Sequence, residues 1–183
     1  MNRIGRLLAC IAVGAFAAGP GGAGAEGLLG AKPQAAPAAP APDQPPVASG
    51  LATPAAVGSP SAVVRPFYAE GGTDLAVADR SRFVDPAKTV LEKNEALKKS
   101  GQGDCLDQNM PLDEVPYDKA ALDKSFKSLE SINGDDARVV VAFVAGSDSH
   151  RLEWKLKKVG GEWKITDLLS VTGEWALSQY QCE

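Results

Sequence analysis

The segment from 137 to 169 constrains the fold of this chain more than any other, because it has the pattern of antiparallel strands. Apolar and charged residues alternate from His150 to Val159, which is typical of a strand with one face in water. Gly160-Gly161 follows and favours a tight turn into a strand from Glu162 to Leu169. The near-continuous apolar run from Ala137 to Ala145 predicts a preceding strand that is buried on both faces.

Two helices are predicted before these strands. The first begins at Ser61, has Phe67 and Tyr68 on its apolar face, and is expected to kink at Pro66. The second is predicted over 86–99, with Asp85 as its N-cap and Pro86 as its first residue.

An irregular acidic loop is expected from Cys105 to Asp118, followed by a strand from Phe126 to Ile132. Helices first and strands after indicate an α+β fold, in which N-terminal helices pack on a curved antiparallel sheet. Trp154 and Trp163 flank the Gly-Gly turn at positions that place them on one face of the sheet if the turn is regular. We therefore expect the two rings to pair across the strands, in a core or in the lining of a cavity.

The N-terminus has the layout of a cleavable export signal. Arg3 and Arg6 precede an apolar stretch, and Ala23-Gly24-Ala25 fits the recognition site of a signal peptidase, so cleavage is predicted near Ala25. The apolar stretch is shorter than the roughly 20 residues that span a bilayer, so no transmembrane helix is predicted in the mature chain. Cys10 follows Leu-Leu-Ala as in bacterial lipoproteins, but most of the apolar stretch comes after it. We interpret Cys10 as part of the discarded peptide, and its lipidation stays an open alternative.

The domain organisation follows from composition. Residues 1–25 form the predicted signal peptide, and residues 26–60 form a predicted disordered linker that is rich in Ala and Pro. The remaining residues, 61–183, suffice for a single α+β domain with one hydrophobic core. The predicted location is therefore periplasmic or secreted.

The net charge of −4 argues against nucleic acid as a partner, because nucleic-acid-binding domains carry clustered basic residues on a basic chain. No phosphate-binding loop, zinc-protease motif or nucleophile elbow occurs in the sequence, and no cofactor is expected. The single histidine, His150, is placed by the pattern in a polar turn with Gly146-Ser147-Asp148-Ser149.

Removal of the signal would leave two cysteines, Cys105 and Cys182. Two thiols in an oxidising compartment usually pair, and no C-x-x-C redox motif is present. The sequence therefore predicts a structural disulfide, with two free thiols as the alternative.

Three short segments carry a resemblance to a known family: Val63-Val64-Arg65-Pro66-Phe67-Tyr68, Asp104-Cys105-Leu106-Asp107 and Gly161-Glu162-Trp163-Lys164-Ile165-Thr166-Asp167. The chain resembles an uncharacterised family of exported bacterial proteins, similar to the nuclear-transport-factor-2-like superfold. The resemblance implies a cone of helices wrapped by a curved sheet, nuclear-transport-factor-2-like or cystatin-like in type. It also leaves a homodimer open, and it implies no particular activity. Leu112-Asp113-Glu114 matches only in part the acidic loop motif of that family.

Candidate site residues are few. Asp104, Asp107 and Asp113 have the oxygen ligands that Ca²⁺ takes, but their spacing is not that of a calcium loop, and solvated surface acids are the favoured interpretation. Asp167 lies among Ile and Leu and is the candidate for a catalytic carboxylate with a raised pKa. Trp154 and Trp163 are the candidates for ligand binding.

These features predict an exported, non-enzymatic binding module for a small apolar ligand or for an envelope protein. A cone-type acid-base enzyme, similar to isomerases or cyclases and using Asp167, is the alternative. A third possibility is a partner protein that makes contact through its loop 104–118.

Overall fold

The computed structural model describes residues 49–50, 54–69 and 74–183. The chain divides into two units, Met1–Ala41 and Pro42–Glu183, and every described residue belongs to the second. The predicted signal peptide, including Cys10 and the cleavage site near Ala25, lies outside the described residues, as does most of the predicted linker.

A six-stranded antiparallel sheet forms the centre of the described unit, with its strands side by side in chain order. The strands are β1 (Ser49–Gly50), β2 (Lys127–Asn133), β3 (Asp136–Ala145), β4 (Asp148–Val159), β5 (Glu162–Ser170) and β6 (Trp175–Ala176). The predicted antiparallel strands and the Gly-Gly hairpin are present. The two-residue edge strand β1 pairs with β2 from within the segment 26–60 that was predicted to be linker.

Three α-helices accompany this sheet in the described part of the chain: α1 (Pro60–Val64), α2 (Ala87–Lys99) and α3 (Lys119–Ser125). A 3₁₀ turn, Arg65–Phe67, continues α1 where Pro66 was expected to kink it. Further 3₁₀ turns are Leu75–Val77, Arg80–Arg82, Met110–Leu112 and Leu177–Gln179. These helices and this sheet confirm an α+β fold. None of the described helices combines the length and the apolar character needed to cross a membrane.

The helix starts differ in detail from the predictions. Ser59 caps α1, and its hydroxyl accepts from the backbone N–H of Ala62 at 3.2 Å. Asp85 is not the N-cap of α2, because Pro86 occupies that position and the Asp85 carboxylate accepts instead from the Thr89 hydroxyl at 2.6 Å. Helix α3 was not predicted.

Only one face of the sheet is buried. The prediction that β3 is buried on both faces is wrong, because Val139, Val141 and Phe143 are buried while Val140 and Ala142 between them are half-exposed. Successive side chains point to opposite faces of a strand. The helices pack on the buried face, and we call the other side of β2–β5 the open face.

An aromatic cluster fills the space between the helices and the buried face. Trp154 is fully buried, and its ring centroid lies 4.6 Å from that of Phe67 and 6.3 Å from that of Tyr68. The indole N–H of Trp154 donates to the Tyr68 hydroxyl at 2.9 Å. Burial raises the pKa of Tyr68 far above its ordinary value, so this hydroxyl stays protonated. Trp154 is therefore a packing residue of the core.

The two tryptophans do not form the predicted cross-strand pair. Trp163 lies opposite Lys158 and Trp154 lies opposite Leu168, so the two rings occupy different cross-strand rows. The register of β4 and β5 also shifts by one residue between Lys155 and Leu156. This shift is a β-bulge, in which Thr166 is an extra residue on β5. Both rings belong to the core nonetheless.

The predicted disulfide is present between Cys105 and Cys182, with the sulfurs 2.06 Å apart. It ties the C-terminal segment to the loop after α2, across a separation of 77 residues. Disulfides persist in oxidising compartments, so this bond is consistent with an exported protein.

Replacing Cys105 and Cys182 together by serine should lower the free energy of unfolding by about 4 kcal/mol, because the loop that the disulfide closes is long. Urea unfolding of the oxidised wild type and of the double variant measures this difference. Equal midpoints in urea would show that the bond does not stabilise the fold. Reduced wild type provides the control, because it should unfold like the double variant.

Candidate functional site

The open face carries an apolar row of side chains between two basic rows. Strand register places Leu129 opposite Val140, Val140 opposite Glu153, and Glu153 opposite Leu169, which gives a row that is apolar at three of its four positions. Leu129 is 37% exposed, and Val140 and Leu169 are half-buried. Apolar groups of this row are therefore accessible from solvent.

The flanking rows supply the positive charge. On one side of the apolar row Lys127, Ala142 and Arg151 are cross-strand neighbours, and on the other side Arg138 lies between Ser131 and Lys155. A further row, nearer the hairpin ends, contains Lys157 and Lys164, with Asp136 opposite Lys157. A basic face of this kind contrasts with the net charge of −4 of the whole chain.

Few of these cations have a carboxylate partner. Arg138 Nε lies 3.6 Å from Glu153 Oε1, and Lys164 Nζ lies 2.7 Å from Glu162 Oε2. The other open-face cations form no ion pair with any described residue, namely Lys127, Arg151, Lys155 and Lys157. Four positive charges on one face are thus available to an external anion.

A second polar cluster lies on the buried face of the sheet, near the start of β4. His150 is buried in β4 and is not a turn residue, so its predicted placement is wrong; the turn before β4 is made by Gly146 and Ser147. Its Nδ1 donates to Asp113 Oδ2 at 2.8 Å, and its ring stacks on Phe143 with a centroid distance of 5.4 Å. Asp113 Oδ1 also accepts from the indole N–H of Trp175 at 3.2 Å.

Backbone strain is concentrated around this cluster. The non-glycine residues with positive φ among the described residues are Asn109, Asp113, Glu114 and Glu174, with φ between 57° and 62°. Three of them belong to the loop that carries Asp113, and Glu174 precedes Trp175 directly. A left-handed backbone is costly for most residues other than glycine, so the bonds from His150 and Trp175 help to hold this loop in place.

The three predicted metal ligands do not converge. Asp104 forms an ion pair with Lys98 at 2.9 Å, Asp107 accepts from the Tyr180 hydroxyl at 2.9 Å, and Asp113 is bound by His150 and Trp175. Within the described ranges no group of three or more His, Cys, Asp or Glu side chains could hold a metal ion.

Asp167 is buried, but hydrogen bonds occupy both oxygens of its carboxylate. Oδ2 accepts from the Ser178 hydroxyl at 2.8 Å, and Oδ1 accepts from the backbone N–H groups of Ser178 and Leu168, each at 3.0 Å. These bonds fix the segment after β6 against β5. The geometry therefore gives Asp167 a structural role, and its catalytic role stays a prediction.

Of the two predicted ligand-binding tryptophans, only Trp163 borders solvent. It lines a surface hollow of about 320 Å³ together with Val63 and Arg82. Its ring lies 5.6 Å from Lys158 Nζ, a cation–π contact at the end of the hairpin.

Comparison with known proteins identifies no family for this chain. No protein-family model matches it, and none of the curated proteins does. A similar solved structure is a chain in the crystal structure of the type VI native effector-immunity complex Tae3-Tai3 from Ralstonia pickettii. The two chains are 21% identical, the match covers 68% of this chain and 99% of that chain, and the TM-score is 0.42. This likeness is too weak to bear on fold type or function.

Sequence reasoning missed the open face as a site and found its residues only as a solvated side of a strand pair. The sequence does contain a signal for a basic face, because Arg138, Lys155 and Lys157 all fall at outward positions of the predicted strands. The prediction that β3 is buried on both faces hid this signal, because a strand of that kind has no side in water. The Asp113–His150 contact joins residues 37 apart and has no local sequence signal.

Asp113→Ala should lower the free energy of unfolding by about 1–3 kcal/mol or more, because it leaves the His150 and Trp175 N–H groups without their acceptor. Asp113→Asn is the matched control, since Asn tolerates the left-handed backbone and keeps an acceptor oxygen. The free energy of unfolding measured in urea should be highest for wild type, lower for Asp113→Asn and lowest for Asp113→Ala. Equal stability of the two variants would contradict the proposed role of these bonds.

Glu114 should make stability depend on pH. Partial desolvation of this exposed side chain, followed by the charges of Asp107 and Asp113, raises the pKa of Glu114 in the folded state. A carboxyl with a raised pKa favours the folded state when protonated, and this contribution is lost as the pH rises through its folded-state value. Glu114→Gln should therefore be more stable than wild type at pH 7, and the difference should vanish below about pH 4. A pH-independent difference in thermal midpoint would refute this explanation.

Proposed function

We propose that this protein is an exported, non-enzymatic binding module that binds an acidic protein partner through the open face of its sheet. The observation that carries the proposal is an accessible apolar row flanked on both sides by cations that lack ion-pair partners among the described residues. The partner would supply apolar side chains for the row and carboxylates for the two basic rows.

The filled interior favours a protein partner over a small apolar ligand. A ligand between the helices and the buried face of the sheet would have to displace Trp154 or Phe67, whose rings already pack at 4.6 Å. Close packing of this kind leaves no room for a guest without the loss of core contacts. The outer surface is therefore the better candidate for recognition.

The composition of the open face favours protein over nucleic acid or lipid. Protein interfaces combine an apolar centre with a polar rim, and complementary charge speeds association and selects partners. Leu129, Val140 and Leu169 provide the centre, and the basic rows provide the rim. Sheet faces that bind single-stranded nucleic acid stack its bases on aromatic side chains, and this row contains none.

Two further parts of the proposal rest on sequence. The export signal with cleavage near Ala25 explains how the disulfide would form, and the Ala/Pro-rich segment would serve as a tether. The nuclear-transport-factor-2-like family and the cone type of fold remain part of the proposal. The acid-base enzyme has little support, because hydrogen bonds occupy both oxygens of Asp167.

Site-specific photo-crosslinking in the native host tests this function. With the crosslinking amino acid benzoylphenylalanine in place of Leu129, we expect one dominant protein adduct, because this residue lies in the apolar row. With the same amino acid in place of Val77, which is 78% exposed on a 3₁₀ turn, we expect none.

Charge reversal then tests the basic rows. Lys127→Glu together with Arg151→Glu should reduce the adduct at position 129 by about tenfold or more, because the variant repels an acidic partner. Lys93→Glu with Lys124→Glu is the control, since both lysines are exposed on helices. No adduct at position 129, or equal loss in both double variants, would refute the proposed face.

A further inference from the structure

The open face contains a hollow of about 540 Å³ beside its apolar row. Its polar lining consists of two hydroxyls, one amide, one carboxylate and two cations, from Ser131, Thr166, Asn133, Asp136, Arg138 and Lys155. Ser131, Arg138 and Lys155 are successive cross-strand neighbours on β2, β3 and β4. The register therefore brings these groups to one place.

The β-bulge supplies a further group of this hollow. The extra residue Thr166 lies where the register shifts between Lys155 and Leu156. In a regular hairpin the residue opposite Lys155 would be Thr166, whereas here it is Asp167, whose carboxylate is bonded to Ser178. Bulges re-aim side chains and are frequent next to functional sites. The bulge thus leaves Thr166 at the hollow and places Asp167 opposite Lys155, with the Asp167 carboxylate bonded to Ser178.

Like charges face each other across the strands at this hollow. Arg138 is the direct partner of Lys155, and in the adjacent row Lys157 lies between Lys164 and the carboxylate of Asp136. Like charges directly opposite each other destabilise a sheet. Lys164 forms an ion pair with Glu162, whereas Lys155 forms none with a described residue. The Asp167 carboxylate opposite Lys155 offsets part of the repulsion from Arg138, and a bound anion would remove the remainder.

The Arg138 side chain also keeps donors available. Its contact with Glu153, Nε to Oε1 at 3.6 Å, is an ion pair beyond hydrogen-bond distance. The planar fork of a guanidinium matches the two oxygens of a carboxylate.

We infer that this hollow is the anchor point of the proposed interface and receives the carboxylate of one Asp or Glu side chain of the partner. Arg138 binds it through its guanidinium fork, Lys155 pairs with it, and the hydroxyls of Ser131 and Thr166 donate hydrogen bonds. This inference rests on the proposed function. It goes further by naming the chemical group that the partner inserts and the residues that bind it.

The first test measures stability without any partner. Lys155→Met keeps the aliphatic stem but removes the charge that faces Arg138, so the urea midpoint of the purified protein should rise. Lys93→Met, on the exposed side of α2, is the control and should leave the midpoint unchanged. A midpoint that falls or stays the same for Lys155→Met would overturn the argument from like-charge repulsion.

The second test uses the photo-adduct at position 129 as its readout. Arg138→Glu and Lys155→Glu should each reduce this adduct by about tenfold or more, and Arg138→Lys should reduce it less, because lysine keeps the charge and loses the fork. If the adduct forms in wild type and survives both reversals, the anchor is refuted while the open face stands. If it does not form in wild type, the proposed function itself fails.

Two further measurements identify the occupant. A water-soluble carbodiimide joins an amine to a carboxylate only on contact, so mass spectrometry of the treated complex should find Lys155 linked to an Asp or Glu of the partner. Lys93 should show no such link. Binding of the purified protein to phosphatidylglycerol vesicles that is lost in Lys155→Glu would instead assign the hollow to a lipid headgroup and overturn the inference.

Discussion

The contact of Trp154 with Phe67 and Tyr68 is the interaction on which the rest of the structure depends. It joins the centre of β4 to the segment after α1, and the indole N–H finds its acceptor on the same segment, so the largest core side chain is buried without an unpaired polar group. Because these rings pack between the helices and the sheet, a guest there would have to displace core side chains. The proposed recognition therefore uses the outer surface of the described unit, on its open face.

The same constraint explains where the polar groups of the interior are found. His150 points to the buried side of β4, as Trp154 does, but near the end of the strand, where the loop of Asp113 covers it. A buried imidazole needs a partner, and Asp113 provides one only with its backbone in the left-handed region. The strain of this loop is thus linked to the burial of His150 and does not by itself indicate an active site.

Much of the fold could be predicted from the sequence, because short-range patterns determine it. Alternation specified β4, and Gly160 with φ of 61° and Gly161 with φ of 87° allow the hairpin turn that was expected. Helix α3 was missed because the acidic loop appeared to lead directly into strands, although Asp118 is a good N-cap. The bulge at Thr166 has no local signal, and without it the partner of Trp154 and the surroundings of Lys155 could not be predicted.

The open face presents a conflict between stability and function that the sequence alone does not reveal. An acidic chain could have neutralised its sheet surface with its own carboxylates, and Arg138 with Glu153 shows that this arrangement is compatible with the strands. Lys155, however, lies between the cation of Arg138 and the carboxylate of Asp167, and that carboxylate is bonded to Ser178. Natural proteins retain unfavourable arrangements of this kind chiefly where function requires them. The cost at Lys155 is therefore the strongest physical reason to look for the partner on this face.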